Sequence, residues 1–387
     1  MIRWGLILLA VCGPVFAPVF AQGTGEQRAE AAGESLIGAP APRMVLKTID
    51  GESIDLGKLY GKKAVYLKFW ATWCGPCREQ MPHLEKTFEA RGSDLEVIAI
   101  NAGFNDSIDD VRAYRKEVGI KMPIVIDDGT LGAALHLRVT PQHVVIGRDG
   151  RIQYVGHLVS EPLEAALVAA RRAPGGSGVG GSAVAGGSAV AGGSAVAGSA
   201  GGAGGGARGG AGGGQAAGDA GAVGAASDGA AGAASGGAAR NGVGELAPAF
   251  SVRTSDGAQV GNQGPVVLVF LSPWCESYLE TSRAAMSARC RTVREQVEQL
   301  AQQHPDARWL GVASGLWSSP EELKEYAAKY KVKIPLTLDA SGSLFNSFHV
   351  RTVPTVIAID SGGRIQRRIE GSDRALAAEL SRVAMVR

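Results

Sequence analysis

The chain has 387 residues, which is room for two or three domains of ordinary size. Hydrophobic residues make up 45% of it, enough for real cores, and a net charge of +2 gives no electrostatic footprint for nucleic acid or acidic ligands. Glycine stands at 56 residues and is not evenly spread along the chain. The composition therefore argues against a nucleic-acid partner and indicates folded units separated by an unusual segment.

The N-terminus has the pattern of a secretory signal. One positive residue precedes a proline-broken apolar run, which ends in a small-residue exit at Ala21. The run is too short to span a bilayer comfortably, so we expect cleavage after Ala21 and a periplasmic or other extracytoplasmic location. An uncleaved segment would instead anchor the chain to the membrane. Cleavage removes Cys12 and leaves four cysteines: Cys74, Cys77, Cys275 and Cys290.

A glycine-rich segment divides the rest of the chain. It consists almost only of Gly, Ala, Ser and Val, and it contains GSAVAG three times in tandem between 181 and 198. Such a composition cannot bury enough apolar surface to offset ordering entropy, so we expect a disordered linker. The predicted division is a signal peptide over 1–21, an N-terminal linker over 22–35, a folded unit over 36–172, the Gly/Ala/Ser-rich linker over 173–243 and a second folded unit over 244–387.

The two folded units repeat one pattern of elements. Each has two buried strands separated by a helical stretch, and then a pair of strands joined by a Gly-containing turn, RDGRI in the first unit and SGGRI in the second. Helix starts with a capping pattern stand at Ser107 and Ser319. This order predicts an α/β fold, with two sandwiches that each have a central mixed β-sheet flanked by helices.

The stretch WATWCGPC, residues 70–77, contains the chemistry of the first unit. A predicted strand over 64–70 runs directly into a helix whose first turn contains Cys74 and Cys77. The helix N-terminus favours a thiolate at Cys74, and Cys77 lies three residues on, within reach for a disulfide. Cys74 can then attack a substrate disulfide and Cys77 can resolve the mixed disulfide. A zinc site would need a second ligand pair, and haem attachment would need a histidine in place of Arg78.

The motif WCGPC resembles the active site of the thioredoxin superfamily. Together with the signal pattern and the lead-in to the motif, residues 36–172 resemble the TlpA/ResA/DsbE-type extracytoplasmic thiol–disulfide oxidoreductases. The resemblance implies that Cys74 and Cys77 are catalytic, and that their own redox-active disulfide serves in place of any cofactor or metal. It also implies a helix kink at Pro82. The implied substrate-binding residues are Trp73, Thr140 and Pro141, with a cis bond between the last two.

The implied function is disulfide reduction or exchange on protein substrates, with cytochrome c maturation as a candidate process. Such a protein takes electrons from a thiol protein in the membrane. The alternative is a non-enzymatic, redox-sensitive adaptor that uses its thioredoxin-like units to bind partners. Turnover of an insulin-type disulfide by the wild type, and not by Cys74→Ser, separates the two.

Two positions depart from the family pattern. Lys68 stands where thioredoxins place a buried acid, six residues before the nucleophile, and Gln80 stands where many ResA-type proteins have a glutamate. The group that relays the proton is therefore left open. We expect His83 and His143 to be packing or surface residues.

The second unit repeats the strand-to-helix junction with one cysteine, Cys275, and has Tyr278 in the resolving position. Val353-Pro354 retains the cis-proline pattern. Cys290 follows fifteen residues later, which is about 22 Å along a continuous helix, so pairing is excluded unless that helix breaks. Two interpretations stay open. The unit is a degenerate copy kept for binding or stability, or Cys275, beside Pro354, is a monothiol site that forms mixed disulfides.

Overall fold

The structure is a computed structural model, and it describes residues 24–174 and 242–370 together with Leu376 and Ala378. The expected signal peptide and nearly all of the predicted linker lie outside these residues. The N-terminal half is residues 24–174, and the C-terminal half is residues 242–370 with Leu376 and Ala378. Within them, no helix has the length and apolar character needed to cross a bilayer.

The N-terminal half is built around one five-stranded sheet with a separate two-stranded hairpin. Its strands are β1 (Val45–Lys47), β2 (Ser53–Asp55), β3 (Ala64–Trp70), β4 (Leu95–Asn101), β5 (Ile124–Ile126), β6 (Gln142–Ile146) and β7 (Ile152–Gly156). Its helices are α1 (Gly25–Gly33), α2 (Leu56–Leu59), α3 (Gly75–Glu79), α4 (Met81–Glu89), α5 (Ile108–Val118), α6 (Thr130–Ala134) and α7 (Glu161–Arg172).

The sheet is mixed, with strand order β5-β4-β3-β6-β7. Strands β3, β4 and β5 are parallel, whereas β6 pairs antiparallel with both β3 and β7. Every residue of β3 is buried, because helices cover both faces of the central strand. Tyr66 and Trp70 point into the apolar layer that contains both cysteines, while Leu67 and Phe69 point into the opposite layer. The predicted α/β sandwich is therefore confirmed.

Local sequence signals place the helix starts correctly. Ser107 forms a capping box with Asp110 at the start of α5. In the region of the predicted kink, the helix after the cysteines divides at Gln80 into α3 and α4, and Pro82 lies in the first turn of α4, where a missing N–H is tolerated.

The C-terminal half repeats this architecture. Its strands are β8 (Ser251–Arg253), β9 (Gln259–Gly261), β10 (Val266–Leu271), β11 (Trp309–Ser314), β12 (Leu336–Asp339), β13 (Thr355–Ile359) and β14 (Ile365–Glu370). Its helices are α8 (Cys275–Ser282), α9 (Ala284–Gln303), α10 (Pro320–Tyr330) and α11 (Ser343–Ser347). The sheet order β12-β11-β10-β13-β14, with the same parallel and antiparallel pairs, matches the first sheet strand for strand. The predicted second sandwich is confirmed.

One expectation about this half is wrong. The predicted continuous helix is interrupted at Arg283, whose φ of −145° and ψ of 63° lie outside the helical region. Helix α9 folds back against α8, and Cys290 forms a disulfide with Cys275 at a Cα–Cα distance of 6.3 Å. The exclusion of this pair assumed one unbroken helix, in which the two cysteines would lie far apart along the axis. Because the chain turns back at Arg283, the two cysteines lie side by side on neighbouring helices.

Candidate active site

The two predicted catalytic cysteines are joined. Cys74 and Cys77 form a disulfide with an S–S distance of 2.07 Å and a Cα–Cα distance of 5.2 Å. Cys74 is the N-cap of α3, and its sulfur accepts a hydrogen bond of 3.2 Å from the backbone N–H of Cys77. A backbone N–H aimed at this sulfur stabilises negative charge on it, which is what a nucleophilic thiolate requires.

A cis peptide bond lies beside the disulfide. The Thr140-Pro141 bond is cis, as predicted. The carbonyl oxygen of Thr140 lies 3.4 Å from the Cys74 sulfur, so the start of β6 directly borders the reactive atom. Trp73 is fixed next to the pair, because its indole N–H donates a 2.8 Å hydrogen bond to the carbonyl of Phe104. The structure thus brings together all five residues that the sequence assigned to this site.

Aromatic residues of the C-terminal half cover the motif. The rings of Trp73 and Trp274, each directly before the cysteine of its own half, stack with centroids 4.9 Å apart. The hydroxyl of Tyr278 accepts a 3.3 Å hydrogen bond from the N–H of Gly75, between the two cysteines. Tyr278, predicted to take the place of a resolving cysteine, therefore lies against the active site of the other half.

A second contact covers the cis-proline loop. The indole N–H of Trp317 donates a 3.2 Å hydrogen bond to Oγ1 of Thr140, and the backbone N–H of Trp317 donates to the carbonyl of Arg138 at 2.9 Å. A similar contact runs in the other direction: the backbone N–H of Asn105 in the N-terminal half donates at 2.8 Å to the carbonyl of Arg351, which lies just before the cis-proline of the C-terminal half. Only 2% of Cys74 is exposed in this arrangement. The active site is closed in this structure.

A part-buried ion pair joins the two halves beside the active site. Arg283, at the break between α8 and α9, lies 3.0 Å from the carboxylate of Asp106, whose side chain is fully buried. The same guanidinium donates to the carbonyl of Asn105 at 2.6 Å and to the hydroxyl of Thr72. Sequence analysis missed this contact, because nothing in the local pattern around Arg283 indicates a partner in the other half.

A hydrogen-bonded chain lies behind the disulfide. The Tyr66 hydroxyl is 2.7 Å from Nδ1 of His143, and Nε2 of His143 is 2.8 Å from the side-chain oxygen of Gln80. Burial, together with the positive charge of Lys68, holds the pKa of His143 well below its usual range. His143 is therefore neutral, with Nε2–H donating to Gln80 and Nδ1 accepting from Tyr66. His143 is a buried packing residue, whereas His83 contacts Glu164 on the outer side of α4.

Lys68 is the unusual group of this layer. It lies on the same face of β3 as Tyr66 and Trp70, the face that packs against the layer containing the cysteines. Its side chain is fully buried, and Nζ has no hydrogen-bond partner among the described residues. Burial lowers the pKa of Lys68 from 10.5 to about 7. At neutral pH this amine can therefore accept or release a proton.

The C-terminal half has its own cysteine site. Val353-Pro354 is cis, as predicted, and Pro354 lines the same small cavity as Cys290. Cys275 is bonded to Cys290, so the premise that it has no partner thiol is wrong, and the structure contains no free Cys275 for a monothiol site. In the described part of the chain, no group of three or more His, Cys, Asp or Glu side chains is placed to hold a metal ion.

Comparison with known proteins identifies the chemistry. A family model described as the AhpC/TSA family matches residues 37–155. The thioredoxin-like protein YneN of Bacillus subtilis (strain 168) is 36% identical over 133 residues, which cover 34% of this chain and 78% of that protein. The thiol-disulfide oxidoreductase ResA of the same organism is 32% identical over 157 residues, covering 39% of this chain and 80% of ResA. With a Cys74–Cys77 disulfide at the start of α3, this chain belongs to the thioredoxin-like thiol–disulfide oxidoreductases of the ResA type and is an enzyme of that class.

Proposed function

We propose that the enzyme reduces disulfide bonds of protein substrates outside the cytoplasm. The observation that carries this proposal is the placement of the Cys74 sulfur, which receives the Cys77 N–H and lies 3.4 Å from the Thr140 carbonyl at a cis-proline bond. A nucleophilic sulfur, a resolving sulfur and a backbone carbonyl that can accept a hydrogen bond from a bound peptide are thus adjacent. Trp73, Thr140 and Pro141 form the surface on which the substrate binds.

The reaction transfers two electrons from the enzyme to the substrate. The thiolate of reduced Cys74 attacks one sulfur of the substrate disulfide, and the other substrate sulfur leaves as a thiolate that takes up a proton. Cys77 then attacks Cys74, which releases the second substrate thiol and forms the Cys74–Cys77 disulfide seen in this structure. We assign proton exchange in this reaction to Lys68, because its amine is buried on the face of β3 that has Tyr66 and Trp70 and burial lowers its pKa to about 7.

The reducing direction is supported by the residues between the cysteines. Gly75 and Pro76 give the CGPC motif of thioredoxin, whose reduction potential is about −270 mV. A thiol protein of the membrane would return electrons to the oxidised pair. The signal pattern of residues 1–21 supports the extracytoplasmic location. The family resemblance supports cytochrome c maturation as the process.

Substrate entry requires movement of the C-terminal half. Trp317 is hydrogen-bonded to the hydroxyl of Thr140, and Tyr278 is hydrogen-bonded to the N–H of Gly75. A protein substrate must displace both before it reaches Cys74. The same half would therefore limit turnover and exclude substrates that bind too weakly to open the site.

Insulin reduction with a dithiol as electron source tests the proposal. The wild type should turn over, and Cys74→Ser should lose most of this activity. Cys77→Ser should accumulate a mixed disulfide between Cys74 and insulin, which mass spectrometry detects. A wild type that binds insulin without reducing it would contradict the proposal and favour the adaptor alternative. Equal activity in Cys74→Ser would show that the reduction does not use this pair.

A further inference from the structure

We propose that the Cys275–Cys290 bond is a second redox-active disulfide, with Cys275 as the nucleophile and Cys290 as the resolving thiol. In the N-terminal half the resolving Cys77 lies in the same helix that Cys74 caps. In the C-terminal half the resolving Cys290 lies instead in the next helix, α9. This site is distinct from the Cys74–Cys77 centre and does not depend on the function proposed for it.

The position of Cys275 in its fold matches that of Cys74. Each follows the central strand of a five-stranded sheet of identical order. The N–H of Cys275 donates to the carbonyl of Ser272 at 3.0 Å, and that of Cys74 donates to Ala71 at 3.2 Å, so the same turn presents both sulfurs. A cis-proline, Pro354, begins the neighbouring strand region, as at the first centre. The turn and the cis-proline of a thiol-exchange site are therefore both present, and Cys275 is the first residue of α8, with Trp274 as its N-cap, whereas Cys74 is itself the N-cap of α3.

The break at Arg283 is what supplies the second sulfur. It allows α9 to fold back on α8, and this packing is held by the Ser287 hydroxyl, which donates to the carbonyl of Glu276 at 2.5 Å. A nearly buried ion pair between Arg294 and Glu276, at 2.7 Å, locks the same two helices together further along. Cys290 is held beside Cys275 by contacts that do not involve the sulfurs, so reduction leaves both thiols in place to reform the bond.

The surroundings of the bond are suited to a reduced state. Ser272, Cys290 and Pro354 line one cavity of about 20 Å³, which is room for about one water molecule. The hydroxyl of Ser272 is buried and has no hydrogen-bond partner among the described residues. A thiolate formed on reduction needs such a donor, because burying an uncompensated charge is unfavourable.

The exchange step balances with an external dithiol as reductant. Cys275 is 1% exposed, so the residues that cover it must move before a reductant reaches its sulfur. One thiolate of the dithiol then attacks the Cys275 sulfur, forming a mixed disulfide and releasing the Cys290 thiolate, which takes up a proton. The second thiol of the reductant then attacks its own sulfur in the mixed disulfide and releases Cys275. The products are the reduced Cys275/Cys290 dithiol and the oxidised reductant. The reverse sequence oxidises the pair, with Cys275 attacking a substrate disulfide and Cys290 resolving it.

A redox titration of the full chain carrying Cys74→Ser and Cys77→Ser tests this assignment. The variant is equilibrated in dithiothreitol buffers of stepped ratio, quenched in acid and alkylated, and the peptides containing Cys275 and Cys290 are analysed by mass spectrometry. Near-UV circular dichroism is recorded on the same samples. We expect both thiols to appear together in one two-electron transition, without loss of the near-UV signal, and to disappear again in oxidised dithiothreitol.

A pair that stays oxidised throughout the series until denaturant is added would overturn the proposal, as would reduction that occurs only with loss of the near-UV signal. A second experiment assigns the roles. In the same background, Cys290→Ser leaves Cys275 alone and Cys275→Ser leaves Cys290 alone. With glutathione disulfide, we expect the adduct on Cys275 to form at least ~10-fold faster than that on Cys290, because Cys275 has the position of the nucleophile at the start of a helix. Equal or reversed rates would refute that assignment.

Discussion

Replacing the buried Lys68 by methionine should stabilise the folded protein, and the gain should depend on pH. Burial lowers the pKa of Lys68 from 10.5 to about 7 in the folded chain, whereas the unfolded chain has the ordinary value. At about 1.4 kcal/mol per pKa unit, the charged form loses about 5 kcal/mol of folding free energy. Methionine fills a similar volume and has no charge to desolvate, so most of this loss is recovered.

The sign of the pH dependence follows from proton binding. Below pH 7 both the folded and unfolded chains carry the proton, and the full penalty applies. Between about 7 and 10.5 the unfolded chain binds a proton that the folded chain has released, so the free energy of unfolding of the wild type rises with pH in this window. The advantage of Lys68→Met should therefore shrink by about 2 kcal/mol between pH 7 and pH 9.

Guanidinium unfolding of the oxidised wild type and variant at pH 7, 8 and 9 measures this effect. The control is Lys63→Met, just before β3, because Lys63 is partly exposed and pairs with Glu96 at 2.8 Å. Its substitution should change the free energy of unfolding by less than about 1 kcal/mol at each pH. An advantage of Lys68→Met that is constant from pH 7 to pH 9 would refute the assignment of a buried, deprotonating amine. A destabilised variant would refute the desolvation argument itself.

Three further outcomes are expected. Alkylation of reduced Cys74 should have a midpoint below pH ~8.5, the value for an ordinary thiol, because Cys74 caps a helix; a midpoint at or above that value would contradict the cap's role. Fragment 22–172 should fold and should reduce insulin faster than the full chain. Full-length Trp317→Ala should also reduce insulin faster than the wild type, because both proteins lack contacts that cover Cys74. Unchanged rates would mean that these contacts do not limit access to Cys74. Cys290→Ser should lower the free energy of unfolding by about 3 kcal/mol, since the bond closes a loop with a sequence separation of 15. Denaturant titration measures this loss, and a change below ~1 kcal/mol would show that the reduced loop is already constrained.

The Cys74–Cys77 site could be predicted from sequence because its determinants are local. A buried run over Ala64–Trp70, followed after three intervening residues by CGPC, already places both sulfurs at a strand-to-helix junction. The cis bond at Thr140-Pro141 followed from family resemblance, and the structure contains it. Capping at Ser107 and Ser319 likewise depends on residues three positions apart. Hydrogen bonding within one turn leaves a signal in a short window of sequence.

The partner of Cys275 had no such signal. The stretch around Arg283 keeps a helical pattern and lacks the Pro or Gly that usually marks a break. The guanidinium of Arg283 contacts Asn105 and Asp106, which lie 178 and 177 residues earlier in the chain. Helix propensity is worth less than about 1 kcal/mol per residue, so a tertiary contact such as this one can interrupt a helix. Because the contacting residues are far apart in the chain, a pattern read over a few neighbouring residues cannot predict the break.

The sequence by itself thus determined the two α/β sandwiches, their mixed sheets and the first cysteine pair. Each of these depends on hydrophobic periodicity, turn chemistry or capping over a few residues. Only the tertiary structure decided that Cys290 meets Cys275, that Trp317 and Tyr278 cover the first site, and that Lys68 is buried without a partner among the described residues. These features arise where segments distant in sequence pack together, because burial and charge depend on what surrounds a residue in space.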